Sequence, residues 1–187
     1  YSFLHPEFSY LPRKFKIAVT GSPNDRAAVA VHDIGLRVHK NEQGQVGFEV
    51  LVGGGLGRQP DIPHTIRKWL APEHLLAYVE SILRVYNMQG RRDNIHKARI
   101  KIIVNQMGID KYRELVDQDF EFTKNGALKV PDDEVAGINA YFAPPQYEKL
   151  ADETQALAKI RSGDRAFDRW MRGNVIEHKV PGYAIVN

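Results

Sequence analysis

Alternating apolar and polar positions near the start of the chain predict a β-strand over residues 13–20. The two alternating sets are Phe15, Ile17 and Val19, and Lys14, Lys16 and Ala18. A period of two is typical of a strand with one buried face, so we expect the first set to face the core. The pattern continues as strands over residues 28–38 and 46–52, joined by a hairpin turn at 41–44.

Lys14 and Lys16 are expected on the same face of the first strand, roughly 6.5 to 7 Å apart along it. Two ammonium groups at that separation repel each other, and the repulsion favours loss of a proton from one of them. An anion between them would relieve it, so the pair is a candidate site for a small oxyanion that is both bound and protonated. The alternative is an edge strand whose solvated lysines deter aggregation.

Two loops carry further candidate ligands. The turn over residues 21–26 includes Asn24, whose amide is available to a ligand. Three consecutive glycines, Gly53–Gly55, follow the third strand and lead through Leu56 to Arg58. Glycines allow backbone N–H groups to approach carboxylates or phosphates, and Arg58 can add a charge-assisted contact. The spacing is not a dinucleotide-binding fingerprint, and an ordinary loop is the alternative.

Helical periodicity begins at Pro72 and predicts a helix that ends before Gly90. Its predicted buried stripe is Leu75, Leu76, Val79, Ile82, Leu83 and Tyr86. A second helix is expected over 94–107, with Ile95, Ala98, Ile102 and Met107 inside, and a third over 110–118, capped by Asp110.

The remaining segments of the chain lack a clear hydrophobic periodicity. Residues 60–71 and 120–145 are expected to be irregular, a helix is expected over 147–161, and a last strand from Pro181. These elements favour an α+β fold, a mixed sheet covered by the helices at 72–89 and 94–107.

The amino-acid composition excludes several kinds of protein and of metal site. The 187 residues are 43% hydrophobic and 26% charged, with net charge +3, pI near 9.1 and no cysteine. A disulfide framework or thiolate metal site within the chain is thereby excluded, and no apolar run reaches the 18 residues of a membrane span. Arg92, Lys97 and Arg99 could form a nucleic-acid patch, but no aromatic residues are interleaved with them. The chain starts at Tyr1 and stops within an apparent strand, so we expect a piece of a longer protein.

Several ordered motifs resemble the hemoprotein of assimilatory sulfite and nitrite reductases. The resemblance covers about residues 8–120, and the tail from Asn174 resembles the start of that family's second ferredoxin-like half. The motifs are Tyr10-Leu-Pro-Arg-Lys-Phe-Lys16, Pro23-Asn-Asp25, Val46-Gly-Phe48, Leu51-Val-Gly-Gly-Gly-Leu56 and Gly90-Arg-Arg-Asp-Asn-Ile-His-Lys-Ala-Arg99.

The resemblance implies a siroheme joined through a cysteine to a 4Fe-4S cluster, and six-electron reduction of sulfite to sulfide or nitrite to ammonia. It implies that Lys14 and Lys16 are catalytic, binding the oxyanion and helping to supply protons. The implied cofactor-binding residues are Arg13, Asn24, Gly53, Gly54, Gly55, Leu56 and Arg99. Siroheme carries many carboxylates, so cations and free backbone donors suit it.

In the resembled family, sulfite enzymes have Lys-x-Lys here and plant-type nitrite reductases tend to have Asn at the second position, so Lys16 favours sulfite. The cluster cysteines lie downstream in that family. Without them this chain alone is expected to hold no cluster, bind siroheme weakly and catalyse nothing. The intact enzyme is expected to be cytoplasmic, to bind neither nucleic acid nor membrane, and to take electrons from ferredoxin or a flavoprotein.

The same resemblance sets the expected domain organisation. Residues 1–120 would form the siroheme- and substrate-binding domain, 121–173 a linker arm and helix, and 174–187 the start of the second ferredoxin-like half.

Overall fold

The computed structural model describes residues 5–151 and 153–187. The chain divides into two compact units, one up to Gly137 and the other from Ile138 to Asn187. The domain boundaries expected at residues 120 and 173 stay predictions.

A four-stranded mixed sheet organises the first unit, which confirms the predicted α+β class. Its strands, in spatial order, are β1 (Ile17–Thr20), β2 (Ile34–Lys40), β3 (Val46–Val52) and β4 (His64–Leu70). β1 is parallel to β2, and the other two pairs are antiparallel. The third strand has the predicted bounds. β4 was predicted to be irregular, because its charged residues obscure the buried positions Ile66 and Leu70.

The predicted strand over residues 28–38 was wrong over residues 28–33, more than half of its length. Ala28 has a positive φ of 50°, and Val29–Val31 forms a short 3-10 helix before β2 begins at Ile34. The Val29 N–H donates to Asp25 Oδ1 at 2.9 Å. This side-chain acceptor satisfies a backbone donor locally, so the segment can turn instead of joining the sheet.

The first strand also differs from its prediction, since it starts only at Ile17 and buries the opposite set of side chains. Ala18 and Thr20 are buried, whereas Ile17 and Val19 are 41% and 53% exposed. Ala18 packs with Val29 on the face that the 3-10 segment covers. Ile17 faces the helices, but β1 is at the edge of the sheet, where they cover it only in part.

Three helices cover the other face of the sheet: α1 (Leu75–Gln89), α2 (Ile100–Met107) and α3 (Ile109–Thr123). The shared core takes its largest buried side chains from both layers, among them Tyr78, Tyr86, Tyr112, Ile34, Ile82 and Val50. Of the stripe predicted for α1, Ile82, Leu83 and Tyr86 are buried, while Leu76 is 36% exposed.

The predictions for α2 and α3 need correction. α2 begins at Ile100, not at residue 94, because Asn94 caps a separate 3-10 turn over Ile95–Lys97 by accepting from the His96 N–H. The later start changes the buried face to Ile100, Ile103 and Val104, and leaves Ile95 60% exposed. α3 begins at Ile109 and continues to Thr123, so Gly108 is its N-cap and Asp110, the predicted cap, lies in its first turn.

Beyond α3, more of the chain is helical than the sequence predicted. The segment expected to be irregular contains α4 (Asp132–Tyr141), and α5 (Thr154–Gly163) begins later than predicted. The polar stretch after it forms α6 (Arg165–Asn174), capped by Asp164, which accepts from the Ala166 and Phe167 N–H groups. β5 (Val175–Glu177) and β6 (Ala184–Val186) form an antiparallel hairpin. A last strand is thus present as predicted, but it starts at Ala184 and not at Pro181, and its partner β5 was not predicted. None of the helices in the described residues combines the length and apolarity needed to cross a membrane.

Tyr86 connects the chain before β1 to the loop before α2. Its hydroxyl donates towards two carbonyl oxygens, of Arg13 at 2.9 Å and of Ala98 at 2.8 Å. Burial raises the pKa of Tyr86 to about 12. The folded protein therefore favours the protonated phenol more strongly than the unfolded chain does.

We predict that Tyr86→Phe costs about 1 kcal/mol of unfolding free energy at neutral pH, because it removes the donor to two carbonyls. The raised pKa stabilises the wild type fully below about pH 10, the ordinary value for tyrosine, and this stabilisation is lost as the pH rises towards 12. Urea titrations between pH 9 and 12 should show a shallower loss for the variant. Parallel curves would contradict this role of the hydroxyl.

Gly54 gives a second prediction, since a Cβ there would lie 2.5 Å from the carbonyl oxygen of His32. That contact is with backbone, so Gly54→Ala should destabilise the fold by about 1–3 kcal/mol. Gly21 is a matched control, because a Cβ there meets nothing within 4 Å. Equal melting temperatures for the two alanine variants would show that the loop moves freely.

Candidate functional site

Lys14 and Lys16 lie on the extended segment immediately before β1, and both side chains are exposed. Phe15 between them packs partly against the core. The backbone of Lys16 is held on both sides: its N–H donates to Asp33 Oδ2 at 2.9 Å, and its carbonyl accepts from the Ile34 N–H at 3.1 Å. Two exposed cationic side chains thus extend from a stretch of backbone that is held at Lys16.

Arg13, predicted to approach the carboxylates of a cofactor, donates from Nη1 to the carbonyl of Ile95 at 2.5 Å. Arg92 makes a similar link, donating from Nη2 to the carbonyl of Tyr10 at 3.2 Å. Together with the Tyr86 hydroxyl, these bonds attach the segment before β1 to the loop before α2. Both guanidinium groups therefore have a structural role before any ligand is considered.

Asp33 is the residue that joins most of the predicted motifs, and the sequence reasoning missed it. It is completely buried, and its carboxylate forms a two-point ion pair with Arg99, with Oδ1 2.8 Å from Nε and Oδ2 2.7 Å from Nη2. The hydrogen bonds that Arg99 donates to Asp33 raise the pKa of the Arg99 guanidinium. The only sequence signal is an aspartate directly before the apolar run that starts β2.

The three glycines after β3 are all buried. The Gly53 N–H donates to the carbonyl of Asp33 at 2.9 Å, and Gly55 exchanges two backbone hydrogen bonds with Asp61, at 3.0 and 2.9 Å. Gly53 has a φ of 93°, which favours glycine. At least two of the three expected donors are thus bonded within the protein, and the role of these glycines in cofactor binding stays a prediction.

Lys101 holds the end of the same loop and was also missed. It is 7% exposed, its ammonium donates to the carbonyl of Gln59, and Nζ lies 3.4 Å from Asp61 Oδ2. A single lysine in the apolar run Ile100–Val104 is the signal that could have identified it. The loop from Gly53 to Asp61 is therefore attached to α2 by a buried cation.

The structure brings together Lys16, Gly53, Gly55 and Arg99 around Asp33. Three other predicted ligands are not joined to this group: Asn24, Leu56 and Arg58. All three are exposed, and no hydrogen bond or ion pair among residues 5–151 and 153–187 links their side chains to it. Their roles stay predictions.

The basic cluster considered for nucleic acid does not form one free surface. Arg99 is paired with Asp33, and Arg92 donates to the carbonyl of Asn87 at 2.8 Å and to its side-chain oxygen at 2.6 Å. Of the three cations, Lys97 alone is exposed without such a bond in the described part of the chain. The geometry gives no support to a nucleic-acid interface here.

The amino-acid composition limits which metal sites this chain can form. The chain has no cysteine, and the described residues contain no group of three or more histidine, aspartate or glutamate side chains placed to hold a metal ion. Fe–S clusters are held by cysteine thiolates. The residues present therefore do not fit a 4Fe-4S cluster.

The comparisons with known proteins all indicate the same protein family. Residues 2–124 match the family model described as the nitrite and sulphite reductase 4Fe-4S domain. The chain is 39% identical over 116 residues to a sulfite reductase [NADPH] hemoprotein beta-component of Acidithiobacillus ferrooxidans, a match covering 59% of this chain and 21% of that protein. It is 35% identical over 115 residues to a ferredoxin–nitrite reductase of Leptolyngbya laminosa, covering 61% and 22%.

Comparison with solved structures supports the same family as the sequence comparisons. The fold is similar to the NirA protein of Mycobacterium tuberculosis, with a TM-score of 0.58 and 25% identity, covering 79% of this chain and 24% of that one. The chain thus spans about a fifth to a quarter of the length of the proteins it matches. With two thirds of its residues matched in one continuous stretch, it belongs to the nitrite and sulphite reductase 4Fe-4S domain family.

Proposed function

We propose that this chain is the substrate-facing part of a siroheme-dependent sulfite reductase, which reduces sulfite to sulfide with six electrons. The observation that carries the proposal is the pair Lys14 and Lys16, both exposed and two residues apart on a segment whose backbone is bonded to Asp33 at Lys16 and to Tyr86 at Arg13. The names of the relatives support the reaction class, since they include both sulfite and nitrite reductases.

The residues present fit one of the two implied cofactors. Siroheme, when bound, supplies the iron at which the substrate is reduced. Its carboxylates suit the exposed cation Arg58, and Arg13 and Asn24 are further candidate contacts. The 4Fe-4S cluster does not fit, because the chain lacks thiolates, and we propose that its cysteine ligands lie outside these residues.

Lys14 and Lys16 would bind the sulfite oxygens through charge-assisted hydrogen bonds. Each sulfite oxygen must leave as water, which consumes two protons. An ammonium group already bonded to that oxygen is well placed to donate one of them and to be reprotonated from solvent. Hydrogen bonds fix the backbone of Lys16 and the carbonyl of Arg13, so substrate binding has to order the two lysine side chains but not the chain that carries them.

Sulfite is favoured over nitrite by Lys16, the second of the two lysines. Nitrite carries a single negative charge and two oxygens, so it requires fewer cationic donors than sulfite does. Nitrite reduction to ammonia is the alternative reaction. Electrons would come from ferredoxin or from a flavoprotein, the two kinds of donor suggested by relatives whose names carry ferredoxin or NADPH.

We predict that Lys16→Asn in the full-length protein lowers kcat/KM for sulfite by at least tenfold and changes that for nitrite much less, because one charge-assisted bond is lost. Steady-state rates with a chemically reduced dye as donor measure both. Lys68→Asn, at an exposed lysine on β4, is the matched control. Equal losses for both substrates would contradict the assignment of specificity to Lys16.

A further prediction concerns the 187-residue chain alone. With added siroheme and reduced dye it should reduce neither sulfite nor nitrite, since it holds no cluster to deliver electrons. The matched control is the full-length protein under the same conditions, which should show a siroheme absorption band that shifts with sulfite. Turnover by the isolated chain would overturn this part of the proposal.

A further inference from the structure

Asp33 makes three contacts that converge on the proposed substrate site. Its carboxylate pairs with Arg99, its Oδ2 accepts from the Lys16 N–H at 2.9 Å, and its backbone carbonyl accepts from the Gly53 N–H at 2.9 Å. The side chain of Asp33 is 1% exposed. One buried residue therefore fixes the lysine segment, the glycine loop and the start of α2 relative to one another.

We propose that Asp33 is a positioning residue for sulfite reduction, which holds the backbone of Lys16 so that its ammonium reaches the substrate. This inference rests on the proposed function of Lys16. Asp33 does not touch the substrate, and it acts through the Lys16 N–H. Arg99 in turn holds the Asp33 carboxylate in the orientation that accepts from this N–H.

The position of Lys16 in the chain makes this bond important. Lys16 precedes β1, whose pairing with β2 starts at Ile17 and Ile34. The Lys16 N–H is therefore held by a side chain, while the Lys16 carbonyl is held by the Ile34 N–H. Loss of the Asp33 carboxylate would leave the Lys16 N–H without its acceptor, and the segment before β1 could then fray.

The chemistry of a carboxylate explains why aspartate suits this place. Arg99 presents two parallel N–H groups and takes one lone pair from each oxygen, and Oδ2 keeps a second lone pair for Lys16. An amide has one oxygen and cannot serve all three donors. The amide oxygen of an asparagine at position 33 can accept from the Lys16 N–H if the Arg99 guanidinium has been removed.

This difference supplies a matched pair of variants. Arg99→Met removes the buried charge, so that no unpaired guanidinium disturbs the fold. In that background, Asp33→Asn keeps an oxygen for the Lys16 N–H, whereas Asp33→Ala removes it. The two double variants differ in this one acceptor.

Steady-state kinetics in the full-length enzyme test the proposal. The double variants are Asp33→Ala with Arg99→Met (the Ala/Met variant) and Asp33→Asn with Arg99→Met (the Asn/Met variant). We expect the Ala/Met variant to have a kcat/KM for sulfite at least fivefold below that of the Asn/Met variant. The difference should shrink to less than twofold when Lys16→Met is added to both, because the bond then has no ammonium to position. An unchanged ratio in the Lys16→Met background would mean that Asp33 acts only on stability, and would overturn the proposal.

Hydrogen exchange separates this inference from the proposed function. Mass spectrometry with residue-level fragmentation should show the Lys16 amide exchanging at least tenfold faster in the Ala/Met variant than in the Asn/Met variant, with the Val19 amide alike in both. If Lys16→Met alone leaves kcat/KM for sulfite unchanged, the proposed role of Lys16 is wrong, and the exchange result still decides whether Asp33 holds its backbone. Equal exchange in the two variants would overturn the inference on its own.

The pair Arg37 and Glu49 provides a control for general effects of ion pairs in this sheet. These residues are opposite each other on β2 and β3, and their closest atoms are 3.2 Å apart. Within residues 5–16, no hydrogen bond or ion pair joins either side chain to the segment before β1. Glu49→Gln should leave both the Lys16 exchange rate and kcat/KM for sulfite unchanged within twofold, and a loss equal to that at Asp33 would contradict a specific positioning role.

Discussion

The ion pair between Asp33 and Arg99 is the interaction on which the candidate site depends. A buried carboxylate is stable only if its oxygens are paired and hydrogen-bonded, and Asp33 meets this condition through Arg99 and the Lys16 N–H. Breaking one partner would leave an uncompensated charge in the interior. The demand for full pairing therefore constrains the backbone of Lys16 as strictly as a sheet hydrogen bond would.

The loops around this pair are attached by polar contacts to α2 and the turn before it. Lys101 binds the end of the glycine loop through Gln59, and Arg13 and Arg92 bind the chain before β1 to the loop that precedes α2. Arg13 and Arg92, which the sequence suggested as ligand contacts, thus bind backbone carbonyls of the protein. Cations left in solvent, such as Lys14 and Lys16, are the ones available to an anion.

The sequence predicted the parts of the fold that depend on local pattern. The mixed sheet, the bounds of β3 and the existence of α1 follow from apolar period and turn residues. The start of β2, the burial of Ala18 and the face of α2 could not be read in this way. They depend on where Asp25 and Asn94 turn the backbone, and on the 3-10 segment that covers Ala18. For the site, the lysine pair was visible in sequence, while Asp33 was not, because its partner Arg99 is 66 residues away.

That separation along the chain has a consequence for how the protein acquires its site. A contact between residues so far apart in sequence requires the intervening chain to close into a loop. Asp33 can meet Arg99 only when the start of α2 lies against the sheet, so a chain synthesised only as far as α1 lacks the partner of this carboxylate. We therefore expect the anchor of Lys16 to be complete only in a chain that extends through α2.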